Sequence, residues 1–218
     1  SSNSCLAGGV VEIHKAGDGE LRKVNIECNS DGSYGLDVAS ELVGDGFLVF
    51  KHNGDTNSHS TPYRLSGDNH WFAGRIWLDG SSWNASTKKR ITLEFTDPSN
   101  FGNHRATLDM WALRFYDAFV LKPTRSMTFT DLNCGFMSQD NTQSIGNFKV
   151  DAGIRLDLCN SYTLYSAGLI RKTGAGILGL GGSLGFIGNN VRVTTPQGTE
   201  TFEIQEGWVQ PLTEGGGN

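Results

Sequence analysis

The 218-residue chain carries 18 basic and 23 acidic side chains, a formal charge of −5, and its basic residues are scattered apart from Lys88-Lys89-Arg90. This excludes the clustered positive face expected of a nucleic-acid-binding protein. There is no apolar run of membrane-spanning length and no secretory signal segment, so membrane insertion is not expected, Ser1 reads as a processed N-terminus, and the length suits one large all-β domain.

In chain order, Val24, Ile26 and Cys28 alternate with Asn25 and Glu27, the period of a half-buried strand. Gly46-Phe47-Leu48-Val49-Phe50 adds a second strand. A polar stretch with interleaved aromatics follows, from Asn53 through Tyr63 to Trp71, and reads as an exposed recognition loop. Lys88-Lys89-Arg90 enters the alternating Ile91 to Phe95 as a solvated strand start. Between Ala106 and Leu121, Leu108, Trp111, Ala112 and Phe115 recur at helical spacing and admit a short helix. Met127 to Thr130, Ile154 to Leu158, Val191 to Thr194 and Thr201 to Ile204 are further strands, the last two joined as a hairpin by Pro196-Gln197-Gly198. Glycine-dense Gly174 to Gly188 reads as bulged strands or a tight crossing, with a hydrophobic contact surface as the alternative. Many short strands with long loops give an all-β, jelly-roll-like or immunoglobulin-like β-sandwich over residues 1–211. The tail 212–218, with Gly215-Gly216-Gly217, reads as a Gly-rich linker to a second domain.

Cys5, Cys28, Cys134 and Cys159 lack the close C-x-x-C pairs of zinc and redox sites, so two disulfides and an oxidising compartment are expected. Closing local loops favours Cys5–Cys28 and Cys134–Cys159, with two other connectivities allowed.

The search for chemistry returns little. Gly181-Gly182-Ser183-Leu184-Gly185 matches a nucleophile elbow, but no helix start follows the serine and no histidine comes later in the chain. His52, Asp55 and His59, with Asp68 or His70, match no metal signature, and solvated histidines explain them. Glu94 and Asp109 are the candidate carboxylates for glycoside hydrolysis, and strand-surface charge explains both. No phosphate loop is present, and no metal or cofactor is expected. Asn84-Ala85-Ser86 fits a glycosylation sequon. What remains is a binding surface of flat aromatic faces and short polar groups: Asp55, Asn57, His59, Tyr63, Asp68, Asn69, His70, Trp71, Trp83, Asn84, Asn103 and His104, with Trp77 and Trp111 assigned to the core.

A cysteine-stapled all-β domain ending in a strand and a Gly-Gly linker, Pro211 to Gly216, resembles the N-terminal receptor-binding domain of bacterial chaperone–usher pilus tip adhesins. The resemblance implies a non-enzymatic, lectin-like module at a fimbrial tip on the cell surface, secreted through the periplasm. It implies a host glycan or host protein as receptor, a following pilin domain, and a periplasmic chaperone and usher as assembly partners. The chain departs from that type in its length and its second cysteine pair, so no pocket residue is carried over. The alternatives are a secreted carbohydrate-active enzyme on a β-sandwich and a viral or phage receptor-binding domain.

Overall fold

A computed structural model describes residues 4–15, 23–28, 35–52, 61–79, 91–102, 107–112, 119–130, 133–138, 145–159, 163–166, 169–181, 185–187 and 202–212. The chain is all-β, but it winds as a parallel β-solenoid rather than folding as a sandwich. One sheet is crossed eight times, by Ser4–Leu6, Leu36–Val38, Thr61–Leu65, Ile91–Phe95, Phe119–Pro123, Ile145–Lys149, Leu169–Thr173 and Phe202–Ile204, in that spatial order. A second sheet stacks seven strands, from Lys23–Cys28 to Gly185–Ile187. The third side begins with Val10–Ile13 paired to Glu41–Gly44 and resumes with Met127–Phe129, Arg155–Leu158, Ile177–Leu180 and Trp208–Pro211.

The sandwich expectation fails for a definable reason. Alternation of apolar and polar residues says that one strand face is buried; it says nothing about the direction of the neighbouring strand. A sandwich interleaves antiparallel hairpins, whereas a solenoid brings each strand back in the same sense one winding later. Strand starts in the first sheet lie as close as 24 residues (Ile145 to Leu169) and as far apart as 33 (Leu169 to Phe202), so no fixed period betrays the repeat. The hairpin expectation is corrected in part: Phe202–Ile204 pairs in parallel with Leu169–Thr173, and Val191 to Thr194 lies outside the described residues. The helical alternative over 106–121 also falls, because Thr107–Ala112 is a central strand of the second sheet and Phe119–Pro123 a strand of the first.

The disulfide expectation is overturned as well. Cys5 is an exposed free thiol and Cys159 a half-buried one, and each belongs to one of the two expected bridges. Cys5 sits in the first sheet and Cys28 in the second; Cys134 sits in the second and Cys159 follows a third-sheet strand. Residues close in sequence are thus carried to different sides of the winding. Burial pushes the Cys159 thiol up, and the neighbouring Asp157 charge adds to this.

The core is a set of ladders running through the windings. Leu36, Tyr63, Leu93, Leu121 and Phe148 occupy one register position, and Val38, Leu65, Phe95 and Pro123 another. Leu156 and Leu178 continue the packing from the third side, and Leu48, Ile76, Phe50 and Leu78 from the second. Each fully buried large apolar side chain contributes about 1.5–3 kcal/mol. Phe95, Phe101 and Phe129 form an edge-to-face triad with centroids 5.1–5.8 Å apart. Gly174 to Gly181, the described start of the glycine-dense segment, is corner and core: Leu178 is buried, and Gly174 takes a left-handed φ of 78° at the turn.

Candidate functional site

The inward residues of the first sheet fill the core, so their neighbours along each strand must face out. One outward row is Pro62, Thr92, Val120, Asn147 and Arg171, in register across five strands. Beside it run Glu94 and Lys122 in register, followed by Lys149 and Thr173 in register. With Gly174, Gln205 and Glu206 these side chains line a hollow of about 460 Å³ on the outside of the sheet. Four inter-strand steps of about 4.8 Å make the row of five strands about 19 Å long, directed along the solenoid axis.

Val120 and Asn147 form its floor; although they face outward, they are only 5% and 6% exposed. Thr173 Oγ1 donates to Asn147 Oδ1 at 2.9 Å. The other polar atom of that amide has no partner among the described residues. On the flank, Arg64 Nη2 donates to Glu94 Oε2 at 2.8 Å and Lys122 Nζ to Glu94 Oε1 at 3.1 Å, while Lys122 also approaches Asp151 at 3.4 Å. Partial burial pushes the Glu94 carboxyl up, but the hydrogen bonds from Arg64 and Lys122 outweigh it and hold the group below its ordinary value. Lys122 is correspondingly raised: burial works against its charge, and Glu94 and Asp151 more than offset that. Lys149 is exposed and makes no ion pair among the described residues.

At the lower corner of this face the interior ladder changes character. The position after Phe148 is Lys172, wholly buried and in register with Ile204 of the next strand. Its Nζ donates to the carbonyls of Thr173 at 2.9 Å, Gly174 at 2.5 Å and Glu206 at 3.0 Å. Burial lowers the Lys172 pKa, and the Glu206 charge opposes the shift only in part. Gly207, with φ 75°, faces the same ammonium; a Cβ there would run into the Gly174 and Gly176 carbonyls and Lys172 Nζ.

The residues expected from sequence to bind a ligand do not assemble into one surface. Asp55, Asn57, His59, Trp83, Asn84, Asn103 and His104 lie outside the described residues, as do Ser183 and Trp83's neighbours in the sequon. Tyr63, expected as an exposed anchor, is fully buried; it packs on Phe50 at 4.8 Å and its hydroxyl donates to the Lys51 carbonyl. Asn69 is likewise buried: its Oδ1 accepts from Leu42 N at 2.8 Å and its Nδ2 donates to Asn100 O at 2.8 Å. Asp68, His70 and Trp71 do sit together on an outer corner. Asp68 Oδ1 accepts from His70 N at 3.3 Å, the His70 ring meets Trp71 edge-on at 4.7 Å, and Trp71 is 60% exposed. Trp77, assigned to the core, is half-buried between the inward Ile76 and Leu78. Glu94 and Asp109, the candidate catalytic pair, fall on different sheets. No group of three or more metal-ligating side chains occurs among the described residues.

Asn147, Lys122, Lys149 and Arg171 were missed because they read singly as strand-surface polars. Their signal exists only when Phe119–Pro123, Ile145–Lys149 and Leu169–Thr173 are laid in register. No protein-family model, characterised protein or solved structure matches the chain.

Proposed function

We propose that the chain is a non-enzymatic receptor-binding module that holds an extended glycan in the trough on the outer face of its first sheet. The observation that carries the reading is the trough itself, a hydrogen-bonding channel crossing five strands in register. Its inter-strand spacing of about 4.8 Å is close to the length of one hexose in a linear chain, so successive sugars meet successive strands. Rigid strands preorganise such a surface better than loops.

Binding rather than catalysis is supported by the state of the acid groups. Glycoside hydrolysis needs a carboxyl kept protonated near neutral pH beside a second carboxylate. Glu94 is instead held ionised by Arg64 and Lys122. The fimbrial setting drew on a sandwich and on paired cysteines, and the solenoid and the free thiols of Cys5 and Cys159 remove that support. The glycan reading stands on the trough alone.

The test is Thr92→Trp, which fills the channel from a half-buried outward position. Glycan binding by the whole chain is expected to fall at least tenfold with the melting temperature unchanged, whereas Trp71→Ala leaves it intact. Loss in Trp71→Ala with full binding in Thr92→Trp moves the site to the 68–71 corner and overturns the proposal.

A further inference from the structure

We infer that the two ends of the solenoid are complementary docking surfaces for a second copy of this chain, which stacks head to tail and continues the winding. This is independent of what the trough holds. The large apolar side chains exposed among the described residues are Leu6, Val10 and Val24 on the first winding, Ile204 and Trp208 on the last, and Trp71 between them. Leu6 and Ile204 stand at inward positions, in register with buried Val38 and buried Lys172. They are nevertheless 43% and 53% exposed, because each belongs to an outermost strand of the first sheet. Soluble solenoids cover such ends with polar capping repeats. Here each end presents apolar side chains and an outermost parallel strand, a template for one more strand.

What fits each end is the other. The first winding runs from Ser4–Leu6 through the corner Ala7-Gly8-Gly9 to Val10–Ile13, and the last from Phe202–Ile204 through Gln205-Glu206-Gly207 to Trp208–Pro211. Strand lengths and corner length are equal, and the closing glycine is left-handed in both, with φ 71° at Gly9 and 75° at Gly207. The adjoining windings differ. The corner after Leu36–Val38 is Ala39-Ser40, a residue shorter, and the corner after Leu169–Thr173 opens on left-handed Gly174 instead of closing on one. Laid corner on corner, Leu6 of one copy meets Ile204 of the next, Val10 meets Trp208, inward Val11 meets inward Val209, and Glu12 meets Gln210. Apolar side chains thus face apolar ones, and no like charges oppose each other along the two strand pairs. The match lies two residues along from the internal column, in which Ile204 aligns with Ser4; a two-residue step keeps every side chain on its own face. Because the two surfaces differ, each contact leaves both outer ends open, and the assembly is an unclosed stack rather than a dimer.

The experiment is sedimentation of the whole chain over a concentration series, with a thiol reductant present because exposed Cys5 lies at one end. The average mass is expected to climb without stopping at two copies. Val10→Lys and Trp208→Lys, both at exposed outward positions, are each expected to weaken association about tenfold or more with the melting temperature unchanged at dilution. Trp71→Lys is expected to leave association as it is. Mixed in equal amounts, the two end variants are expected to form a dimer that grows no further, since one sound contact remains between them. A chain that stays monomeric throughout the series overturns the inference. So does a closed dimer abolished by only one of the end variants, which is a pairing of like ends, and so does association weakened equally by Trp71→Lys, which is unspecific apolar contact.

Discussion

The first and third sides of the solenoid solve the same problem by different means. The first is an uninterrupted stack in which backbone ladders join every winding to the next. On the third side that ladder breaks after Glu41–Gly44, leaving a single bridge from Gly44 to Phe72 and then the 3₁₀ turn Pro98–Phe101 before strands resume. Two buried asparagines span the gap. Asn69 links Leu42 N to Asn100 O, and Asn100 Nδ2 donates to Gly67 O at 2.8 Å while its Oδ1 accepts from Thr96 N and Asp97 N. Side-chain amides carry here what main-chain amides carry elsewhere, because an asparagine presents the same donor and acceptor pair. The ladder on the first side tolerates any residue that packs; the bridge on the third depends on the identity of two.

Substitutions can break that contrast. Leu93→Ala, at the centre of the continuous side, is expected to cost about 3 kcal/mol through the lost transfer energy and the cavity left behind, read from denaturant unfolding. Asn100→Ala strips three backbone groups of their partners and is expected to cost about 2–3 kcal/mol. Asn100→Asp keeps the acceptor but sets a carboxylate against the Gly67 carbonyl and is expected to rescue little. If Asn100→Ala costs no more than a surface change, the asparagines do not hold the gap. Gly207→Ala follows, at about 1–3 kcal/mol, from a left-handed φ and a Cβ with no room beside Lys172 Nζ; its melting temperature is the readout.

The pH dependence sharpens the first side of the comparison. Glu94 has a folded-state pKa below its unfolded one, so its contribution is fully present above the unfolded value and is lost as pH falls through the folded value. Stability is expected to decline on acidification below about pH 5, and the decline is expected to be shallower in Glu94→Gln. The smallest effect belongs to Trp71→Ala. That side chain is 60% exposed on the corner of the interrupted side, and unfolding free energy is expected to move by no more than about 0.5 kcal/mol.

Much of the local structure was legible. The strands at Ile91–Phe95, Met127–Phe129 and Arg155–Leu158 follow from alternation that buries Leu93, Phe129 and Leu156. The winding was not, because alternation is blind to strand direction and the turn lengths vary. Tyr63 shows the same limit at one residue: in a polar neighbourhood it reads as an exposed anchor, yet its neighbours in space are Phe50, Leu36 and Leu93 from other windings. Val24 errs the other way. Its alternation reads as buried, but Lys23–Cys28 is the end strand of the second sheet, and Val24 is 41% exposed. The trough residues follow this rule too, since Asn147 and Arg171 are 24 residues apart in sequence and adjacent only in register.

Stacked windings also have a mechanical consequence. The hydrogen bonds between neighbouring strands lie along the solenoid axis, so a load applied end to end pulls on all bonds of one interface at once and on successive interfaces in series. Such a column parts at its weakest joint. Between Gly44 and Met127 the third side has no strand ladder among the described residues and shares the load with the two continuous sheets through the Gly44–Phe72 bridge and the Asn69 and Asn100 side chains, so rupture under tension is expected to start there.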